Sequence, residues 1–134
     1  MHVLVVGGGQ VGSYLAGLLC TDGHRVTVLE VREAAVGLLR RTAPDALIIV
    51  GNGTDPSVLE GAGVRTADVV AAVTKSDATN LVITSLARFV FGVRRAVARV
   101  NDPHHTWMFS PTMGVDVALN QADVMARLIA RAVE

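Results

Sequence analysis

Aromatic residues make up only 4% of this 134-residue chain, and its twelve Lys and Arg are balanced by twelve Asp and Glu. The zero net charge excludes the broad basic surface that nucleic-acid-binding domains carry. The single cysteine, Cys20, cannot form an internal disulfide, which is typical of reducing compartments. No apolar run reaches the roughly 20 residues of a membrane span. A strand-like segment begins at position 2, where a signal peptide would stand, so we expect a cytoplasmic protein without direct membrane insertion.

Motifs of catalysis and metal binding are also missing. There is no GxxxxGK[ST] loop, no pair of cysteines and no His-x-x-x-His spacing. His104 and His105 are adjacent, and adjacent residues on a helix point apart, so we expect no metal site there. A dehydrogenase needs a substrate pocket and an acid or base, usually from another domain, and the remaining length has no room for one. We therefore expect a protein that is not an enzyme.

What the chain has in quantity is aliphatic residues, in short runs that alternate with helical segments. Hydrophobic residues make up 51% of the sequence, and β-branched and small ones suit a parallel sheet covered by helices. The length fits one domain, residues 1–134. The predicted strands are Val3–Val6, Arg25–Glu30, Ala46–Val50, Asp68–Val73, Arg95–Val100 and Val115–Leu119. The predicted helices are Gln10–Asp22, Glu33–Thr42, Pro56–Glu60, Ala78–Phe91 with Asp77 as its cap, His104–Ser110 and Ala122–Val133.

This alternation predicts an α/β fold of the Rossmann type. Six strands with short connections favour a doubly wound, three-layer structure around a parallel sheet. The expected strand order is 3-2-1-4-5-6, with a ligand crevice at the carboxyl ends of strands 1 and 4.

The first strand ends in a glycine pattern that is typical of dinucleotide binding. The spacing Gly7-x-Gly9-x-x-Gly12 stands between a strand and a helix, which is the context that this motif requires. We expect Gly7 to allow a sharp turn, Gly9 to admit a pyrophosphate, and Gly12 to let the helix pack closely. The pyrophosphate would lie on unpaired N–H groups at the helix start, where the dipole favours negative charge.

A second signal is Glu30, at the end of the second strand. It follows Gly12 by 18 positions, close to the roughly 20 expected for the acid that binds ribose hydroxyls. A carboxylate there would accept bonds from the 2′- and 3′-hydroxyls and repel a 2′-phosphate. The pattern therefore favours NAD(H) or another adenosine nucleotide over NADP. Arg32, two positions on, leaves a contact to phosphate open.

Residues just after the other strands are candidates for the same crevice. Asn52 either bonds an adenine edge or serves only as a turn residue. Thr74 would lie opposite the glycine turn and contact phosphate or ribose, whereas Lys75 is expected in solvent.

Arg99 stands in an otherwise apolar strand, and an arginine there needs a partner because its desolvation is costly. A phosphate in the crevice is one such partner. A nearby aspartate, Asp77 or Asp102, is the structural alternative.

Taken in order, these motifs resemble the N-terminal nucleotide-binding domain of the TrkA family of potassium uptake regulators, also called the KTN or RCK N-domain. The resemblance covers nearly the whole chain. The residues that carry it are the Gly7–Gly12 turn, Glu30, Gly51–Leu59, Ala62–Val64, Ala67–Asp68, Val73–Thr74, Asp77, Asn80–Leu81, Ala98–Pro103 and Gly114–Asp116.

The resemblance implies a regulatory subunit that binds NAD(H) or ATP/ADP and controls a membrane potassium transporter or channel by a ligand-dependent conformational change. It places the protein at the inner face of the cell membrane through its transporter. By motif position it implies phosphate contacts at the glycine turn, ribose at Glu30, and other contacts at the strand ends. The implied site residues are Gly7, Gly8, Gly9, Gln10, Val11, Gly12, Glu30, Asn52, Val73, Thr74 and Arg99.

The family also implies a homodimer or a higher assembly through the last helix. Its apolar stripe of Val124, Leu128, Ile129 and Val133 fits a second copy, or alternatively the chain's own sheet.

Two departures from the family are visible. Asn52 stands where many members have an aspartate, and the C-terminal ligand domain of the family is absent, so the chain is either truncated or a one-domain subunit. The alternative function is the NAD-binding domain of an oxidoreductase, excised from a longer chain.

Overall fold

Six parallel strands form one sheet in the computed structural model, which describes every residue from Met1 to Glu134. The strand order is β3-β2-β1-β4-β5-β6, which confirms the predicted fold class. The strands are β1 (His2–Val6), β2 (Arg25–Glu30), β3 (Leu47–Val50), β4 (Val69–Ala72), β5 (Arg95–Val100) and β6 (Val117–Asn120).

Five helices connect the strands. They are α1 (Gln10–Thr21), α2 (Val36–Thr42), α3 (Pro56–Gly61), α4 (Asp77–Ser85) and α5 (Gln121–Val133). A π-helical turn, Leu86–Val90, continues α4, and short 3-10 turns lie at Glu33–Ala35, Val64–Thr66, Pro103–Met108 and Pro111–Met113. The predicted helix at His104–Ser110 is thus a 3-10 turn, and the sixth strand starts two residues later than predicted. None of these helices has the length and apolar character that crossing a membrane requires.

The core lies on both faces of the sheet. All five residues of β1 are buried, with Leu4 and Val6 in one hydrophobic cluster and Val3 and Val5 in another. Because both faces of the sheet are covered at β1, neither face of this strand needs polar side chains, which explains the continuous apolar run Val3–Val6. Full burial of each such side chain contributes about 1.5–3 kcal/mol.

The last helix does not share this burial. Every residue of α5 is exposed, including Leu128 and Ile129 at 55% each. Its start is fixed by the Asn120 side chain, which accepts a hydrogen bond from the Asp123 N–H at 3.0 Å. The structure therefore excludes the alternative in which the apolar stripe of α5 only covers its own sheet.

The first turn of α4 ties together the loops that follow β4 and β5. The helix cap is Ser76, whose hydroxyl accepts from the Thr79 N–H, so the prediction of Asp77 as the cap is wrong. The buried Asp77 carboxylate instead accepts from the backbone N–H groups of Asn101 at 2.6 Å and Asp102 at 2.9 Å. It also contacts His105 Nδ1 at 2.8 Å. Asp77 thereby anchors the turn after β5.

These contacts lower the pKa of Asp77. Burial alone would raise it, but the N–H groups of Asn101 and Asp102 and the His105 ring outweigh burial and bring it from 3.8 to about 2. The charged carboxylate is therefore more stable in the folded chain than in the unfolded chain.

We expect Asp77→Asn to lower the free energy of unfolding by about 2 kcal/mol near neutral pH, the equivalent of the lowered pKa. Because the folded-state pKa lies below the ordinary value, this stability is complete above about pH 4 and is lost as the pH falls towards about 2. Urea unfolding at neutral pH and at about pH 2 measures the free energy of unfolding of both proteins. Asp123→Asn, which removes an exposed carboxylate paired only with Arg127, is the control. A difference between wild type and Asp77→Asn that persists in acid would contradict this role.

Candidate functional site

A cavity of about 500 Å³ opens at the carboxyl ends of the strands. Its walls come from the ends of β1, β2 and β5 and from the loops after β3 and β4, and its volume is typical of small-molecule sites. It lies where the strand order reverses between β1 and β4, at the predicted place. This cavity is called the crevice below.

The crevice brings together seven of the eleven predicted site residues: Gly7, Gly9, Glu30, Asn52, Val73, Thr74 and Arg99. The side chains of Gln10 and Val11 face a shallow apolar patch of α1 instead. Gly8 and Gly12 support the turn from outside the crevice. Any contact from these four residues to a ligand would therefore come from the backbone.

The glycine turn is shaped by close backbone packing. Gly7 has φ +114°, a conformation that favours glycine. A Cβ on Gly12 would lie 1.7 Å from the Gly7 carbonyl oxygen, so any side chain there would push α1 away from β1. No side chain caps α1, and the first N–H groups of a helix have no partner within it. The turn therefore offers the crevice a bare helix start, which favours an anion.

Glu30 is 5% exposed at the end of β2 and is held by hydrogen-bond donors. Its Oε1 accepts from the Gly8 N–H at 2.9 Å, and its Oε2 accepts from the Arg32 N–H at 2.7 Å. Burial raises the pKa of the Glu30 carboxyl, but the bonds from Arg32 and Gly8 outweigh burial and leave it below its ordinary value. Glu30 is therefore a charged, buried carboxylate in the wall of the crevice.

Asn80 fixes the wall opposite Glu30. This fully buried amide accepts from the Thr74 N–H at 3.0 Å and from the Thr74 hydroxyl at 2.7 Å. Its Nδ2 donates to the carbonyl oxygens of Thr74 at 3.1 Å and Arg99 at 2.9 Å. One side chain therefore sets the distance between the ends of β4 and β5.

Arg99 lines the crevice with its Nε buried and without a hydrogen-bond partner. The aspartates considered as its partners are engaged elsewhere, Asp77 with the turn after β5 and Asp102 with the N–H and ring of His104. A buried unpaired donor is costly, so Arg99 is available to an anionic ligand.

The charged residues of the crevice are three cations and one carboxylate: Arg32, Lys75, Arg99 and Glu30. Lys75 is exposed at the rim, as expected, but it also lines the crevice. The excess of cations favours an anion such as a phosphate. No three His, Cys, Asp or Glu side chains group together as metal ligands would.

Asn52 has the turn role that was one of its two alternatives. Its Oδ1 accepts from the Thr54 N–H at 3.0 Å and from the Thr54 hydroxyl at 2.7 Å. It also lines the crevice, so a contact from its amide to an adenine stays a prediction.

Sequence reasoning missed several lining residues. Gly51 and Gly53 flank Asn52, and Ser76 lies two positions after Thr74, so extending the strand-end rule could have found all three. Thr79 and Ile83 lie within α4, and only the packing of that helix brings them to the crevice.

Two curated relatives match almost the whole chain. The Trk system potassium uptake protein TrkA homolog of Methanothermobacter thermautotrophicus is 40% identical over 140 residues, covering 98% of this chain and 61% of the relative. The Trk system potassium uptake protein TrkA of Mycobacterium tuberculosis H37Rv is 38% identical over 133 residues, covering 99% and 60%. The chain thus spans about 60% of the length of these curated relatives.

Solved structures have the same fold. The TrkA-N domain of inner membrane protein ybaL from Escherichia coli superposes with a TM-score of 0.87 at 21% identity, covering 99% of this chain and 96% of that one. The GsuK channel bound to NAD superposes with a TM-score of 0.82 at 21% identity, covering 95% of this chain and 22% of that one. The Shewanella denitrificans Kef CTD in its AMP-bound form superposes with a TM-score of 0.81 at 22% identity, covering 99% of this chain and 80% of that one.

The sequence comparison decides the family, since structural likeness at these identities shows the fold alone. The model of the TrkA-N domain matches residues 3–121, which include the whole crevice. This chain belongs to the TrkA-N domain family.

Proposed function

We propose that this domain binds an adenine nucleotide, NAD(H) or ATP/ADP, in the crevice, and that nucleotide binding regulates a membrane potassium transporter or channel. The observation that carries the proposal is the arrangement around the uncapped start of α1. A buried, charged Glu30 lies on one side of it and the unpartnered Arg99 on the other. An adenine nucleotide supplies a matching order of ribose hydroxyls and phosphates.

Two similar folds support the choice of nucleotide. NAD and AMP are the molecules named with the GsuK channel and the Kef CTD, and both contain adenosine 5′-monophosphate.

In this chain the phosphates would lie on the Gly7–Gly12 turn, with further phosphates reaching Arg99. The ribose would bond Glu30, the adenine edge would meet the amide of Asn52, and Val73 and Thr74 would border the phosphates. The carboxylate disfavours a 2′-phosphate, so NADP would bind less well.

The regulatory role requires two arrangements of the domain with different affinity for the nucleotide, since a ligand that binds both equally shifts nothing. We propose that a second copy of this domain covers the apolar stripe of α5. The relatives are named for potassium uptake, which supports a transporter as the partner and the inner face of the cell membrane as the location.

We propose further that the nucleotide is a bound signal and is not consumed. A thermal-shift series with NAD, NADH, ATP, ADP and AMP, followed by chromatography of the recovered nucleotide, tests both statements. Stabilisation with the nucleotide recovered intact is expected. Loss of NADH in the presence of small carbonyl compounds would favour an oxidoreductase, and the absence of any shift would contradict nucleotide binding.

Glu30→Gln should weaken AMP binding at least tenfold, because a hydrogen bond to a charged group contributes about 1.5–3 kcal/mol. The amide oxygen can still accept from the Gly8 N–H, but the amide nitrogen would face the Arg32 N–H, so we expect the melting temperature to fall by several degrees and compare affinities at a temperature where both proteins are folded. Calorimetry measures the affinity. Glu60→Gln is the control, because that carboxylate is exposed and pairs only with Arg65. Equal AMP affinity in wild type and Glu30→Gln would remove the ribose role.

Arg99→Ala should weaken ADP binding about tenfold or more and leave adenosine binding nearly unchanged, because its guanidinium would bond phosphate and not the sugar or base. Arg95→Ala, an exposed arginine of the same strand, controls for the change in net charge. Equal losses for adenosine and ADP in Arg99→Ala would contradict the phosphate assignment.

Leu128→Glu should convert a dimer or larger assembly into a monomer, because it places a charge in the apolar stripe of α5. Ala130→Glu introduces the same charge on the opposite face of the helix and should leave the assembly intact. Light scattering over a range of concentrations distinguishes the two. A wild-type chain that stays monomeric at high concentration would argue against self-association through α5.

A further inference from the structure

The acceptor assigned to ribose is already occupied by a side chain of the protein itself. The Arg32 guanidinium donates to Glu30 through both Nη2, at 3.1 Å from Oε1, and Nε, at 3.3 Å from Oε2. With the backbone N–H groups of Gly8 and Arg32, each carboxylate oxygen then has two donors. A carboxylate accepts about four hydrogen bonds, so Glu30 has no free acceptor position left.

Arg32 also stands inside the crevice and not beside it. It is one of the lining residues, and its Nη2 lies 3.9 Å from the position that a Cβ on Gly9 would take. The guanidinium therefore covers the space between the glycine turn and the ribose acceptor. Its side chain is 58% exposed, so only the bonds to Glu30 hold it there.

The charges of the crevice are unevenly distributed. On the side of β2 and β3 the charged lining residues are Glu30 and Arg32, whose opposite charges cancel. The cations Lys75 and Arg99 lie on the side of β4 and β5. The carboxylate that should repel a 2′-phosphate is thus neutralised by its own neighbour, and no other crevice cation lies on that side to replace Arg32.

We propose that Arg32 determines selectivity at the ribose 2′ position, an inference that rests on the proposed nucleotide site. A ligand with free hydroxyls must displace the guanidinium from Glu30, so Arg32 weakens its binding. A ligand with a 2′-phosphate finds a planar donor pair suited to phosphate, so Arg32 strengthens its binding. The preference for NAD over NADP is therefore smaller than Glu30 alone would impose.

Two probes that differ only in the 2′-phosphate, 5′-AMP and adenosine 2′,5′-bisphosphate, test this inference by calorimetry. We expect Arg32→Ala to tighten 5′-AMP about threefold and to weaken the bisphosphate about tenfold, shifts of opposite sign. Arg65→Ala is the matched control, because Arg65 is also 58% exposed and paired with a glutamate, but lies outside the crevice. Arg65→Ala should leave the affinity for both probes unchanged.

The outcomes separate the inference from the function on which it rests. If wild type binds both probes and Arg32→Ala shifts both in one direction or neither, the role of Arg32 is wrong and the nucleotide site stands. If wild type binds neither probe, the nucleotide site and the inference both fail. Opposite shifts in Arg32→Ala, with none in Arg65→Ala, support the inference, since a merely structural arginine would affect both probes alike.

Discussion

The crevice depends on the contact between the start of α1 and the end of β1. Because Gly12 has no Cβ, α1 lies directly against the Gly7 carbonyl, where one extra carbon would sit 1.7 Å away. This close contact places the N-terminus of α1, with its unbonded N–H groups, level with the carboxyl ends of the strands. It also places the Gly8 N–H at 2.9 Å from Glu30, so the glycine turn and the carboxylate have a fixed separation. A single missing methyl group thus sets the geometry of both halves of the site.

The opposite wall is held by a different device, buried polar side chains in the first turn of α4. Asn80 joins the ends of β4 and β5, and Asp77 holds the turn beyond β5. Buried amides and carboxylates persist only when their hydrogen bonds are satisfied, and here the bonds go to backbone groups and to the side chains of Thr74, Asn101 and His105. The hydrogen bonds of these polar side chains therefore hold the wall in place. Arg99 is the exception, with a buried donor left for a ligand.

The sequence was sufficient wherever one local pattern determined the outcome. The strand order, the glycine turn and the position of Glu30 follow from the alternation of strands and helices and from short spacings. It was insufficient where two residues compete for one role. Ser76 and Asp77 are both good helix caps, and Asp77 is excluded only because the N–H groups of Asn101 and Asp102 are within its reach. The engagement of Arg32 with Glu30 depends likewise on side-chain geometry, which no spacing encodes.

The same contacts define a short path from the crevice to the exposed helix. The Arg99 carbonyl is held by Asn80, and Arg99 pairs in register with Leu119 of β6. The next residue, Asn120, ends β6 and caps α5. A phosphate bound by Arg99 would therefore act one strand away from a helix whose apolar stripe has no cover within the chain. A helix of 13 residues is marginal by itself, so its orientation depends on what it packs against. Small changes at the end of β5 would then alter the free energy of that packing, and the proposed regulation requires such a coupling.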